Sequence, residues 1–206
     1  VGYKRNTKGG RIMKCTDKEW DTCQVEKMGC NGCYYNEKNK ERIFYIFLDI
    51  DGVLNNMNYW DECFDRHHVK GIMSMHCFPF DPKCLNNLMK LNQKLQKQGF
   101  NVKIILSSTW RLNQIDTEIV NSRLAEYGMR IFGKTISLRS ANRGLEIKNF
   151  LENKKYGKAK KFLIIDDEIK DIIEQFKETH IIHTDFNTGF DNQKLKEAMQ
   201  KADSFE

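Results

Sequence analysis

The stretch IFYIFLDIDGVLNN, residues 43–56, decides how the rest of the chain is read. Seven of its first eight residues are apolar, as suits a strand buried on both faces. Asp49 and Asp51 then bracket Ile50 ahead of Gly52. Asp and Gly end strands with turns in any protein, so one D-x-D-G is ambiguous between a turn and a reaction centre. The ends of the other strands resolve it.

Further apolar runs read as strands at 101–107, 161–166 and 179–184, with a weaker one at 129–136. Amphipathic helices lie between them. In residues 81–99, Asp81 suits a cap, Pro82 the first helical position and Gly99 the stop, while Leu85, Leu88, Leu91 and Leu95 make one stripe. Segments 114–127, 143–154, 168–177 and 191–202 carry similar patterns. Apolar strands alternating with helices imply a mainly parallel sheet covered on both faces, a three-layer Rossmann-like α/β fold. In such sheets a site lies beyond the carboxyl ends of the strands.

Three of those ends are polar. The first strand runs into Asp49 and Asp51, the next into Ser107-Ser108-Thr109-Trp110-Arg111, and a later one into Asp166-Asp167 with Asp171 beyond. Carboxylates converging on one crevice repel one another, and a divalent cation relieves the repulsion. Oxygen donors without nearby His or Cys favour Mg²⁺.

FLDIDGVLN, IILSSTWR and FLIIDDEIKD resemble motifs I, II and IV of the haloacid dehalogenase-like (HAD) phosphotransferases. The likeness is closest to the HAD domain of Swiss Army Knife RNA repair proteins. Their RGxEI and TD…G phrases have counterparts in Arg143-Gly144-Leu145-Glu146-Ile147 and in Thr184-Asp185 with Gly189. LIIDDEIKDIIEQF also resembles the phosphatase half of polynucleotide kinase-phosphatases. The resemblance spans about residues 43–200 and implies a HAD fold with a small cap inserted after the first strand, at about 54–80.

It also implies roles. Asp49 is the expected nucleophile, forming an aspartyl-phosphate, and Asp51 the acid and base. Mg²⁺ is expected on Asp49, the Asp51 carbonyl and Asp167, and on Asp166, at a position where HAD proteins often carry Gly. Ser107 is expected to hold phosphoryl oxygens, with Ser108 as its alternative. The balancing cation, usually a lysine, is expected to be Arg143, with Lys148 and Lys134 as rivals. Arg111 is read either as a phosphate contact or as half of a structural ion pair, and Trp110 as a packing residue.

The insertion carries Tyr59, Trp60, Phe64, His67, His68, His76, Cys77 and Phe78. Ordinary packing is the expectation for these, over base stacking or a zinc site. A small cap leaves the crevice open to a large substrate such as a polynucleotide end.

Ahead of the HAD-like region 43–206, residues 1–14 read as a basic arm with Lys4, Arg5, Lys8, Arg11 and Lys14. Residues 15–42 read as a cysteine-rich module. The net charge of +6 agrees with a polyanionic partner or with a solvated terminus. Cys15, Cys23, Cys30 and Cys33 follow a C-x7-C-x6-C-x2-C spacing that suits structural zinc, with free thiols, and then an iron–sulfur cluster or disulfides, as the alternatives. Seven cysteines without an export signal favour a reducing, cytoplasmic setting. No apolar run approaches the roughly 20 residues that span a bilayer, so no membrane partner is expected. No protein partner is inferred.

Taken together, the sequence predicts a Mg²⁺-dependent phosphatase acting on phosphorylated nucleic-acid ends. A nucleotide or small-metabolite phosphatase and a catalytically silent binding module of the same fold are the alternatives.

Overall fold

A computed structural model describes residues 4–5, 11–12, 42–67, 79–153 and 161–205, with the backbone alone for residues 64–67 and for the first two pairs. The chain divides into two compact units, Val1–Glu41 and Arg42–Glu206. In the first, β1 (Lys4–Arg5) pairs antiparallel with β2 (Arg11–Ile12). Cys15, Cys23, Cys30 and Cys33 lie outside the described residues, and the zinc expectation with them.

The second unit is built on five parallel strands: β3 (Ile43–Leu48), β4 (Asn101–Leu106), β5 (Ile131–Lys134), β6 (Phe162–Asp166) and β7 (Ile181–His183). They lie in the order β5-β4-β3-β6-β7. The most apolar strand, β3, takes the centre, where Phe44 to Leu48 are all buried. Side chains alternate between two faces along a strand, and the two cores follow that period. Ile46, Leu48, Ile104 and Leu106 pack with the leucine stripe of α2 (Pro82–Lys97), with α3 (Gln114–Ala125) and with α5 (Asn192–Asp203). On the other face Tyr45, Phe47, Ile105 and Ile164 pack with Ile147 and Phe150 of α4 (Arg143–Glu152). Phe47 meets the edges of Phe150 and Phe162 at 5.5 and 6.1 Å.

Two segments differ from expectation. Residues 168–177 form successive turns rather than a helix. The Asp171 carboxylate accepts the amide of Arg143, and its carbonyl sits where a Cβ on Gly144 would collide. These contacts hold the segment against the start of α4, while Ile172 still enters the core with Ile169 and Phe176 against it. The helical spacing of apolar residues is therefore present, but tertiary contacts bend the backbone. The segment read as strand 179–184 begins as a 3-10 turn, Glu178–His180, because His180 stacks between Phe162 and Phe205 and its Nδ1 pairs with the Phe162 carbonyl.

The insertion after β3 contains α1 (Met57–His67). Residues 68–78 lie outside the described residues, and with them His68, His76, Cys77 and Phe78. Its neck is closed where the Asp81 amide donates to the Leu54 carbonyl at 2.7 Å and Asn56 Nδ2 to Asp81 Oδ2 at 2.9 Å. Asp81 also caps α2 through the amide of Lys83. Among the described residues, no helix is long and apolar enough to cross a membrane.

Candidate active site

Register builds the site. Leu48 pairs with Leu106 on one side and with Ile165 on the other. The ladders continue one residue further, from the Ser107 amide to Leu48 and from the Asp49 amide to Ile165. Ser107, Asp49 and Asp166 therefore stand in one row at the carboxyl ends of β4, β3 and β6. By alternation that row belongs to the face on which α4 packs. All three residues are buried.

This placement brings Arg143, the first residue of α4, onto the row. Its Nη1 lies 3.1 Å from Asp49 Oδ1 and 2.7 Å from Asp166 Oδ2. Burial by itself disfavours the guanidinium, but the two carboxylates outweigh it and hold Arg143 more firmly charged than an ordinary arginine. The carboxylates are less well served. Burial, then the neighbouring Asp49, pushes Asp166 up to about 8 despite Arg143. The same two causes push Asp167 up to about 6. Asp49 is raised too, by burial first, against the pull of Arg143 and a hydrogen bond with the Ser108 side chain. The arginine gains from both neighbours while each carboxylate also faces another carboxylate. One guanidinium leaves the group short of positive charge.

Asp49, Asp166 and Asp167 each offer an oxygen, all within 4.8 Å of one another. The donor set is oxygen alone, and its charge is under-compensated. Both features fit a hard divalent cation such as Mg²⁺. Asp167 reaches the group across Gly52, where φ is +65° and a Cβ would overlap its carboxylate. The glycine of D-x-D-G thus makes room for the third acid as well as for the turn.

Asp51 is held from two sides. Asn55 Nδ2 donates to its Oδ1 at 2.8 Å, and Trp110 Nε1 to its Oδ2 at 2.9 Å. Asn55 is fully buried and also accepts the Gly52 amide through Oδ1. Trp110 lies in the 3-10 turn Thr109–Leu112, whose cap is Ser108. Sequence alone reads this tryptophan as packing and gives Asn55 no role. Indole N–H groups seek an acceptor when buried, which is the one signal that points to a partner for Trp110.

Ser107 Oγ is buried with no hydrogen-bond partner among the described residues, whereas Ser108 is engaged with Asp49 and with the Trp110 amide. The two serines are distinct in this way, which spacing leaves open. Arg111 is turned inward. It pairs with the buried Glu146 and donates to the carbonyls of Ser107, Ser108, Thr135 and Ile136. Of the two readings of Arg111, the structural ion pair is the one observed. Burial lowers its affinity for the proton, and Glu146 opposes that.

Lys134 Nζ donates to the Arg111 carbonyl at 3.1 Å, and the exposed Lys148 Nζ to Gln175 Oε1 at 3.4 Å. Neither is among the cations paired with Asp49 or Asp166. Thr184 is buried at the end of β7, and Asp185 bridges to Gly189 in the adjoining loop.

A family model describing the HAD domain in Swiss Army Knife RNA repair proteins matches residues 45–195, most of the chain. The chain belongs to this HAD family. No curated protein and no solved structure matches it.

Proposed function

We propose that this chain is a phosphatase that removes phosphate from nucleic-acid ends through an aspartyl-phosphate on Asp49. The observation that carries the reading is the row of Asp49 and Asp166 under Arg143, with Asp167 completing an all-oxygen donor group. Membership of a HAD family attributed to RNA repair proteins supports the choice of substrate.

Asp49, Asp167 and the Asp51 carbonyl, with Asp166 beside them, are the groups that would hold Mg²⁺. When bound, the ion supplies positive charge to the phosphoryl oxygens and to the carboxylates around them. Arg143 restrains the Asp49 carboxylate and presents its remaining N–H groups to the phosphoryl group. Ser107 offers an unused hydroxyl to the same oxygens.

In the first step an Asp49 oxygen bonds to phosphorus, the bond from phosphorus to the nucleoside oxygen breaks, and Asp51 gives its proton to that oxygen. In the second, water attacks phosphorus and Asp51 takes the water proton. The bond to Asp49 then breaks, releasing inorganic phosphate.

The test is phosphate release, with Mg²⁺, from 3′- and 5′-phosphorylated oligonucleotides and from sugar phosphates, by the wild type and by Asp49→Asn. Release from oligonucleotides that is absent in Asp49→Asn is expected. Release from sugar phosphates alone overturns the assigned substrate, and undiminished turnover by Asp49→Asn overturns the mechanism.

A further inference from the structure

The side chains of Trp110 and Asn55 converge on one carboxylate from different elements. Asn55 comes from the loop after β3, and Trp110 from the turn after β4. Between them they occupy one acceptor position on each oxygen of Asp51. A carboxyl group has about four such positions, so both contacts can persist whether or not it carries a proton. What they remove is rotation. A carboxyl group fixed at both oxygens holds its proton in one fixed plane, and misdirection by about 1 Å can cost on the order of 100-fold in rate.

Packing alone accounts for less. Trp110 is buried and meets the edge of Phe80 at 5.6 Å, a contact that a phenylalanine would keep. Its N–H is spent on Asp51, half-buried at the crevice, while the same turn sends Ser108 to Asp49. Arg111 secures the turn from beneath through the carbonyls of Ser107 and Ser108. One short turn after β4 therefore reaches both carboxylates of the D-x-D motif.

We infer that Trp110 and Asn55 are positioning residues for Asp51, fixing the direction in which its proton meets the leaving oxygen. This rests on the phosphatase reading and adds two residues to it. Both act through the Asp51 carboxyl group. Their effect should depend on how much the leaving group needs a proton.

That dependence is the readout. A nucleoside oxygen leaves as a poor alkoxide and needs protonation, whereas p-nitrophenolate leaves without it. The full chain with Mg²⁺ is compared as wild type, Trp110→Phe, Asn55→Ala and Asp49→Asn. The substrates are a phosphorylated oligonucleotide and p-nitrophenyl phosphate, with the first step followed before one turnover is complete. Trp110→Phe and Asn55→Ala should slow the oligonucleotide by about 10-fold or more and the nitrophenolate burst by less than about threefold. The retained burst also reports that each variant is folded. Equal slowing on both substrates, or no slowing on either, overturns the positioning role. If Asp49→Asn is inactive in that same experiment, the phosphatase reading survives the loss. If Asp49→Asn stays active, both fall together.

Discussion

Arg143 and Asp49 meet across two layers of the fold, Nη1 of one standing 3.1 Å from Oδ1 of the other. The same nitrogen holds Asp166 at 2.7 Å, so one arginine restrains both the expected nucleophile and its neighbour. Arg143→Ala should lower kcat by roughly 100-fold, since a guanidinium facing developing phosphoryl charge commonly contributes that much. Arg143→Lys should keep more activity than Arg143→Ala, because one ammonium can serve part of the group. Steady-state rates on the best substrate decide it. Equal activity in wild type and Arg143→Ala would remove the residue from the site.

Arg111 is predicted to matter for stability rather than for substrate contact. Replacing it with Met strands Glu146, which is 2% exposed, without its counter-charge. The expected loss is about 3–5 kcal/mol in urea unfolding. The double variant Arg111→Met/Glu146→Leu should recover part of it, because no buried charge remains. A double variant less stable than Arg111→Met alone contradicts this account.

Gly52→Ala and Gly128→Ala make a matched pair. Both glycines have positive φ, +65° and +69°, but only at Gly52 would a Cβ strike another residue, Asp167. Each substitution should cost about 1 kcal/mol or somewhat more in backbone strain. Only Gly52→Ala should raise the Mg²⁺ concentration needed for half-maximal activity. A metal titration of both variants separates strain from displacement of the acid.

Without metal, the acidic group should make stability fall as pH rises. Burial raises Asp166 to about 8 and Asp167 to about 6, from an ordinary 3.8, so the folded state binds these protons more tightly than the unfolded one. Their favourable contribution is complete below about pH 4 and lost as pH climbs through those values. The thermal midpoint of metal-free protein should drop between about pH 5 and pH 8, and Mg²⁺ should restore it most at the upper end. Asp166→Asn should flatten the profile. A metal-free midpoint that rises over this window would contradict the prediction.

The sheet is legible in the sequence because β3, β4 and β6 are apolar runs ending in polar pairs, and hydrophobic period is a local property. The place of Asp49 and Asp166 in one row is not local. It needs the register of β3 against β6, which no single segment contains. Arg143 can be favoured from its RGxEI phrase, yet the inward turn of Arg111 depends on Glu146 and on carbonyls at the ends of β4 and β5. Trp110 is the larger miss. Its ring reads as packing, and only the fold shows which acceptor its N–H finds. Residues 168–177 depart from a helix for a related reason, since their apolar spacing is sound while Asp171 and the start of α4 set the backbone.

The neck of the insertion has a consequence for how this scaffold can diversify. Leu54 and Asp81 are joined by a backbone hydrogen bond, and Asn56 ties the same point a second time. The points at which the chain leaves and rejoins the core are thereby fixed side by side, next to Asn55, which holds Asp51. Such a junction behaves as a socket. A loop of different length or chemistry carried between Leu54 and Asp81 would leave Asp49 and Asp51 in place at the end of β3.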